Sequence, residues 1–198
     1  EKLQDARGVT GRLRGRLAGY SDAWLYPTEP TFGAANIAAI EDSIVINEIM
    51  YDPPAGGSGN EWIEIYNRSE LTIDLQGATV TDASASSPEV AASVQIAPGE
   101  YAVFANDATA FAAAYPGVTF IDLNLPSLNN TGDRIGLVIN SVEIDVVPYA
   151  ASWGGTDASL ERRDPSGPST AASNFGTTSG PAGGTPGALN SLFTTDED

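Results

Sequence analysis

From Ser43 onward, the chain consists of short apolar or alternating runs separated by turn residues, and this pattern constrains the fold more than any other feature. The runs are SIVINEIMY, EWIEIYN, TIDLQGATVTD, ASVQIAPGEYAVFA, GVTFIDL, RIGLVIN and VEIDVVPYA. Runs of this length, joined by turns such as PPAGG and APGE, are typical of an all-β sandwich or barrel. Long helical patterns do not alternate with them, so a parallel α/β sheet is not expected.

This pattern predicts two packed antiparallel sheets over residues 44–162. Five apolar residues are expected to be largely buried in them: Ile63, Ile65, Val103, Leu137 and Ile144. A single short helix is expected in the Ala-rich stretch 107–115, because Asn106 or Asp107 offers an N-cap and Pro116 offers a stop.

The first 43 residues form a basic arm and linker. They hold five of the nine basic residues of the chain, all within the first sixteen positions. In VTGRLRGRL, an extended backbone places Arg12, Arg14 and Arg16 on one face and Leu13 and Leu17 on the other. The interspersed glycines disfavour a helix. We therefore predict a strand or extended arm here.

The C-terminal part of the chain has few residues suited to a core. The stretch 164–191 is rich in Gly, Pro, Ser and Thr, and it predicts a long ordered loop or tail laid over the surface. The expected organisation is an arm and linker over 1–43, a β-sandwich over 44–191 and an acidic tail over 192–198.

Composition excludes several classes of function. The chain has no Cys and no His, so disulfides, zinc thiolate sites, thiol nucleophiles and the usual general base are absent. A net charge of −17 disfavours nucleic acid and anionic membranes as partners. No apolar run approaches the ~20 residues of a membrane span. The low Lys content, with abundant Asp, Ala, Gly, Ser and Thr, favours an extracellular or cell-surface protein.

A family resemblance joins the segments INEIMYDPP, GNEWIEIYN, IDLQGATVTD, IAPGEYAVFA, LNNTGDRIGLV, EIDVVPY and SLERRDPSGP, which are followed by SNFG and GGTPGALNS. Their order over residues 44–191 resembles the lamin-tail domain family, in particular its bacterial extracellular branch. The resemblance implies an immunoglobulin-like β-sandwich without enzymatic activity, used as an accessory or adhesion module. The basic arm lies outside the family pattern.

The loop YDPPAGGSGNEW has two interpretations. In the simpler one it joins the first two strands, and Pro and Gly set its turns. In the other, Asp52, Asn60, Glu61 and Glu64 are oxygen ligands for calcium, an ion that takes six to eight of them. The spacing of an EF-hand is absent. We expect no cofactor, with calcium as the alternative.

Catalysis is not expected from the carboxylates. Glu48, Glu61, Glu64, Asp74 and Asp82 are numerous enough to supply a catalytic pair, but nothing in the sequence places two of them across a cleft. We expect them to form a solvated acidic face. No motif aligns a nucleophile with a base, so we predict that the chain is not an enzyme.

Aromatic residues and sequons offer further binding hypotheses. Trp24, Trp62 and Trp153 could stack on carbohydrate, although packing is the ordinary role of large aromatics. Trp24 belongs to an apolar cluster outside the predicted domain, and such a cluster needs a surface to bury against. The sequons at Asn67 and Asn129 allow glycans in predicted turns.

Two functions therefore stay open. One is a structural or adhesive subunit that forms an oligomer or filament, its arm adding to another copy. That hypothesis assigns assembly to seven residues: Arg12, Leu13, Arg14, Arg16, Leu17, Trp24 and Tyr26. The other is an accessory module that binds carbohydrate or calcium in a larger secreted enzyme. The arm could also be an extra strand or the remnant of a preceding domain.

Overall fold

A computed structural model of the chain describes residues 43–194, except residues 55, 140 and 141. It also describes the backbone of two short strands, β1 (Gly15–Arg16) and β2 (Trp24–Leu25), which pair with each other antiparallel. The chain divides into two compact units, Glu1–Ile40 and Glu41–Asp198. The second unit contains the sheets described below.

Strands dominate the second unit. They are β3 (Ile44–Met50), β4 (Trp62–Asn67), β5 (Ile73–Asp74), β6 (Thr79–Thr81), β7 (Gln95–Ile96), β8 (Tyr101–Ala105), β9 (Ile121–Asp122), β10 (Ile135–Ile139), β11 (Val142–Val147), β12 (Leu160–Arg162) and β13 (Phe175–Thr177). The described residues also contain one α-helix, α1 (Ala108–Ala114), and 3-10 turns at Ser58–Asn60, Ala151–Trp153, Ala172–Asn174 and Pro181–Gly183. None of the described helices is both long enough and apolar enough to cross a membrane.

The strands form a large and a small sheet, with a further two-stranded ladder. The large sheet has the order β13-β12-β3-β4-β8-β9, and the small sheet has the order β11-β10-β6. β5 pairs with β7 in the ladder. All pairs are antiparallel except β8 with β9, which is parallel. The predicted all-β class and predominantly antiparallel architecture are therefore confirmed.

The core residues predicted from the alternating pattern are buried. Each has at most 6% of its surface exposed: Ile63, Ile65, Val103, Leu137 and Ile144. These residues do not all share one face of the large sheet. Val103 is directly opposite Glu64, so it lies on the other face of β4 from Ile63 and Ile65.

The central strands of the large sheet are buried on both faces. An antiparallel sheet commonly leaves one face in water, but every residue of β3 is buried here. A second apolar cluster explains part of this burial, and it consists of Met50, Trp62, Val103, Ala105, Phe111 and Tyr115. The aromatic rings of Phe111 and Tyr115 pack edge-on to Trp62. The α1 region thus covers one end of this outer face.

Local signals account for α1. The Asp107 carboxylate accepts hydrogen bonds from the backbone amides of Thr109 and Ala110 at 2.8 and 2.9 Å. Asp107 is therefore the N-cap, whereas the side chain of Asn106 accepts a bond from the amide of Leu125. The helix ends before the Pro116 turn, as predicted.

The C-terminal segment covers the rest of the outer face. We name residues 178–192 the C-terminal strap. The prediction of a loop or tail over the surface was incomplete, because the stretch 164–191 also contributes β13, which pairs with β12. Phe175, Asn174 and Asn190 within this stretch are buried. Hydrogen bonds hold much of the segment in place. The pattern of apolar residues along the sequence gives no indication of these bonds.

Candidate functional sites

The predicted assembly residues mostly lie outside the residues that the structure describes. This applies to Arg12, Leu13, Arg14, Leu17 and Tyr26. For Arg16 and Trp24 the structure describes only the backbone. The two residues are directly opposite each other in the β1–β2 pair. Their role in assembly therefore stays a prediction.

The calcium candidates are distributed over separate places. Asp52 accepts a hydrogen bond from the side chain of Asn130, and the side chain of Asn60 donates to the carbonyl of Gly56. Glu61 and Glu64 are three positions apart on an extended segment, so their side chains point to opposite faces of the large sheet. Within the described part of the chain, no group of three or more acidic side chains could hold a metal ion. Calcium binding stays a prediction from the sequence.

The expectation of a solvated acidic face is wrong for three of the five carboxylates. Glu48 and Glu64 have 0% of their surface exposed and Glu61 has 4%. Coverage of the large sheet on both faces is the physical reason. Asp74 and Asp82 are partly exposed, and their carboxylates accept bonds from backbone amides of the turns that follow them.

Three of the buried carboxylates form one group, which we name the glutamate cluster: Glu48, Glu64 and Glu161. Glu48 on β3 is directly opposite Glu64 on β4, and it is also directly opposite Glu161 on β12. Residues directly opposite in an antiparallel pair share a face, so the three side chains converge beneath the strap. Detecting this group from the sequence requires the register of three strands, which periodicity alone does not supply.

The strap meets the glutamate cluster through hydrogen-bond donors. The amide of Thr185 donates to Glu48 Oε1 at 2.9 Å, and the amide of Gly187 donates to Glu64 Oε2. Glu161 Oε2 accepts from the amide of Leu192 at 3.0 Å. Hydroxyl groups supply further donors: those of Thr178 and Thr185 contact Glu161 Oε1, and that of Ser191 contacts Glu161 Oε2. The cluster therefore anchors the strap along much of its length.

Burial alters the protonation of the cluster. Loss of hydration raises the pKa of Glu48 to about 7, and burial together with the charge of Glu48 raises the pKa of Glu64 to about 8. Arg162 does not offset these charges, because it is the neighbour of Glu161 on β12 and its guanidinium is directed at Ile46 and Asp145 instead. On the opposite face, burial raises the pKa of Glu61 to about 7.

A groove lies at the edge of the small sheet, and we name it the edge groove. Its volume is about 590 Å³. One wall is β11, with Glu143, Ile144, Asp145 and Val146, and the other is the loop 166–170. Arg68 also lines it. Among the strands that the structure describes, β10 is the one that pairs with β11 in this sheet, so β11 is an edge strand.

Buried Arg162 fixes both walls of the edge groove. Its guanidinium donates to the carbonyl of Gly167 at 3.1 Å and to Ser169 Oγ at 2.8 Å, which holds the loop. It also pairs with Asp145 on β11 at 3.1 Å. Arg68 donates to the carbonyl of Pro165 and adds a second tie. Hydrogen bonds and an ion pair from the buried Arg162 thus hold both walls of the groove in place.

The tryptophans and sequons of the described region have structural surroundings. Trp62 is buried in the outer apolar cluster, which confirms packing for this residue, and Trp153 is half-buried with its ring tilted against that of Phe175. Asn67 is the last residue of β4 and is fully buried, and its side chain donates to the carbonyls of Leu71 and Ile96. The prediction that Asn67 lies in a turn was therefore wrong. Asn129 is exposed.

The described part of the chain is a β-sandwich with a buried core, a C-terminal strap and an edge groove. Its class is therefore an immunoglobulin-like β-sandwich module. The family model that matches the chain is the Lamin Tail Domain, over residues 38–151, which is more than half of its length. The chain belongs to the lamin-tail domain family, and the predicted immunoglobulin-like fold is confirmed. A search of curated proteins finds no match.

The family assignment bears on function in general terms. Lamin-tail domains are non-enzymatic immunoglobulin-like domains, which supports a module for protein interaction or structure. The absence of activity in the whole chain stays a prediction. Glu161 and the C-terminal strap lie beyond the matched residues. The way in which the strap covers the large sheet is therefore known from the structure alone.

Proposed function

We propose that this protein is an extracellular structural or adhesive module that self-associates, with the basic arm of one copy lying in the edge groove of another. The observation that carries the proposal is the edge groove, a preformed channel along an unpaired strand edge. Edge strands accept extended segments through main-chain hydrogen bonds, and neighbouring pockets select alternate side chains.

The arm has the features that such a groove requires. Its sequence alternates arginine with glycine or leucine over residues 11–17, and its backbone is extended at Gly15–Arg16. An extended segment presents every second side chain to one surface, so its arginines can face one wall together. The exposed Val142 on β11, with 45% of its surface accessible, offers an apolar contact for a leucine of the arm.

Charge favours encounter between the arm and the body of another copy. Residues 17–198 contain four basic and 24 acidic residues, which gives −20, whereas the first sixteen residues are basic. Opposite charges raise the rate of association and suppress wrong partners. Exposed ion pairs contribute only ~0–1 kcal/mol each, so main-chain and apolar contacts must supply most of the affinity.

Rigidity of the groove favours binding as well. Arg162 holds the loop 166–170, and Arg68 holds the adjoining Pro165, before any partner arrives. A preformed site loses less conformational entropy on binding than a mobile one, so more of the contact energy appears as affinity.

The test is analytical ultracentrifugation of the full chain over a range of protein and salt concentrations. The proposal expects a concentration-dependent oligomer that weakens as salt rises. Replacing Arg12, Arg14 and Arg16 by Ser should weaken assembly and reduce its sensitivity to salt. Thr170→Trp should also weaken assembly, because Thr170 is exposed on the groove wall and a large ring there fills the channel.

Ala113→Trp is the matched control, since it adds the same ring at an exposed position of α1, away from the groove. This variant should assemble as the unmodified chain does. A monomer at every concentration, or assembly that is unchanged by both the arginine replacements and T170W, would refute the proposal. The extracellular placement is supported by composition, and recovery of the native protein only from the cytoplasmic fraction of its host would contradict it.

A further inference from the structure

We propose that Glu48 holds a proton shared with Glu161 through the hydroxyl of Thr185, and that this proton latches the C-terminal strap onto the large sheet. The strap is then a pH-sensitive cover: docked when Glu48 is protonated, and released from the cluster when it is ionised. This inference is independent of the proposed assembly.

The Thr185 hydroxyl is the key geometric observation. Its oxygen lies 2.7 Å from Glu161 Oε1 and 3.2 Å from Glu48 Oε2. A hydroxyl has one proton to donate and lone pairs to accept with. If both carboxylates were ionised, the Thr185 hydroxyl could donate its proton to only one of them. Its oxygen would then lie against an oxygen of the other carboxylate with no proton between them. A proton on Glu48 Oε2 removes the conflict, because that group donates to Thr185 and Thr185 donates to Glu161.

The other oxygens of the cluster leave Glu48 Oε2 as the place for this proton. Both oxygens of Glu64 accept from N–H donors, the side chain of Asn47 and the amide of Gly187. Each oxygen of Glu161 already has donors on the strap. Although the pKa of Glu64 is the higher of the two raised values, neither of its partners can accept a proton. The hydrogen-bond pattern therefore locates the proton on Glu48.

The tyrosines that face the cluster titrate outside this range. From β8 and the end of α1, Tyr101 and Tyr115 face the cluster, and burial raises the pKa of each to about 12. From the end of β12, Arg163 donates to the carbonyl of Phe175. The strap has no ionisable side chain. Glu48 and Glu64 are thus the groups of the cluster whose raised pKa lies near neutral pH.

The sign of the effect follows from the direction of the pKa change. Burial raises the pKa of Glu48 from the ordinary 4.5 to about 7, so the folded protein holds this proton more tightly than the unfolded chain does. The stabilisation is complete below about pH 4.5 and is lost as pH rises through about 7. Above that value, ionised Glu48 experiences the charge of Glu161, and the Thr185 hydroxyl can satisfy only one of its two contacts.

The experiment is hydrogen exchange with mass spectrometry on the full chain between pH 5.5 and 8.5, corrected for intrinsic exchange rates. Strap peptides should lose protection roughly tenfold for each pH unit above about 7. Peptides from β10 should keep their protection, which separates strap release from unfolding of the domain.

Matched variants test the location of the proton. Glu48→Gln keeps an N–H donor toward Thr185 and an acceptor for its amide, so strap protection should lose most of its dependence on pH around 7. Glu64→Gln places an amide donor against existing donors, so protection should fall at all pH values and the pH dependence should remain. Thr185→Val should lower strap protection at acidic pH, whereas Thr185→Ser, which retains the hydroxyl, should not.

Three results would overturn the inference. One is strap protection in the unmodified chain that does not change with pH. Another is a pH dependence in E48Q equal to that of the unmodified chain. The third is loss of protection in the strap and β10 together, which would show unfolding of the whole domain. The two Thr185 variants keep the test decisive if E64Q fails to fold.

Discussion

Replacing Arg162 by Met tests whether one buried cation organises the C-terminal half of the domain. Arg162 has 0% of its surface exposed. Its guanidinium donates to four groups from three separate segments: the carbonyls of Ile46 and Gly167, Ser169 Oγ and Asp145 Oδ2. Methionine retains much of the volume and removes all four hydrogen bonds. The variant therefore measures the contribution of the polar contacts to stability while packing stays nearly unchanged.

The expected cost is set by what stays behind. Asp145 remains largely buried, with 9% of its side chain exposed, and loses its cation, although the amides of Ile46 and Val146 still donate to it. Removing one partner of a buried ion pair typically costs about 3–5 kcal/mol. The lost contact between the guanidinium and the Phe175 ring, centred 4.9 Å away, adds to this. We expect R162M to lower the free energy of unfolding by about 4 kcal/mol.

Arg162→Lys is the matched control. Lysine keeps the positive charge beside Asp145 but lacks the planar fork that reaches several acceptors at once. We expect a loss of about 2 kcal/mol, corresponding to one or two missing hydrogen bonds to a charged group. The two variants together separate the charge from its geometry.

The assay is equilibrium unfolding in urea, followed by the near-ultraviolet signal of the aromatic residues. Asp145→Asn and the double variant complete a mutant cycle, which should return a coupling energy of 0.5–3 kcal/mol. The reasoning would be refuted if R162M stayed within about 1 kcal/mol of the unmodified chain, or if the two sites proved additive.

Two further substitutions test local features by thermal unfolding. Asp107→Ala should cost about 1 kcal/mol through loss of the α1 N-cap, and an unchanged melting temperature would contradict that role. Gly155→Ala should cost more than 2 kcal/mol, because φ is +89° and the new Cβ would lie 2.7 Å from the ring of Tyr51. Gly99→Ala, with φ +77° and open space around it, should cost only about 1 kcal/mol, and equal losses at both positions would show that steric contact is not the cause.

Features governed by neighbouring residues could be predicted from the sequence. Alternation of apolar and polar residues predicted the strands and the buried side chains of Ile63 and Ile65, because the two-residue period follows from backbone geometry. The helix was predicted for a similar reason, since an N-cap acts within three residues of its own position. Asn106 and Asp107 were equal candidates, and the hydrogen bond that the distant Leu125 amide donates to Asn106 decided between them.

The family could also be predicted from the sequence, and the match over residues 38–151 confirms it. The edge groove could not be predicted in this way. It depends on Arg162 reaching Asp145, Gly167 and Ser169, and no pattern along the chain indicates that one buried arginine joins these segments.

The sequence by itself determined the β-rich class, the helix and the charge contrast between arm and body, because these depend on composition and on short-range periodicity. Only the tertiary structure decided the environment of the glutamates. Alternation along β3 and β4 predicts that Glu48 and Glu64 face water, since one face of an antiparallel sheet is ordinarily solvated. The strap residues that bind these glutamates lie 123 and 137 residues further along the chain, and their donors replace that water. Burial and raised pKa values follow from this long-range contact.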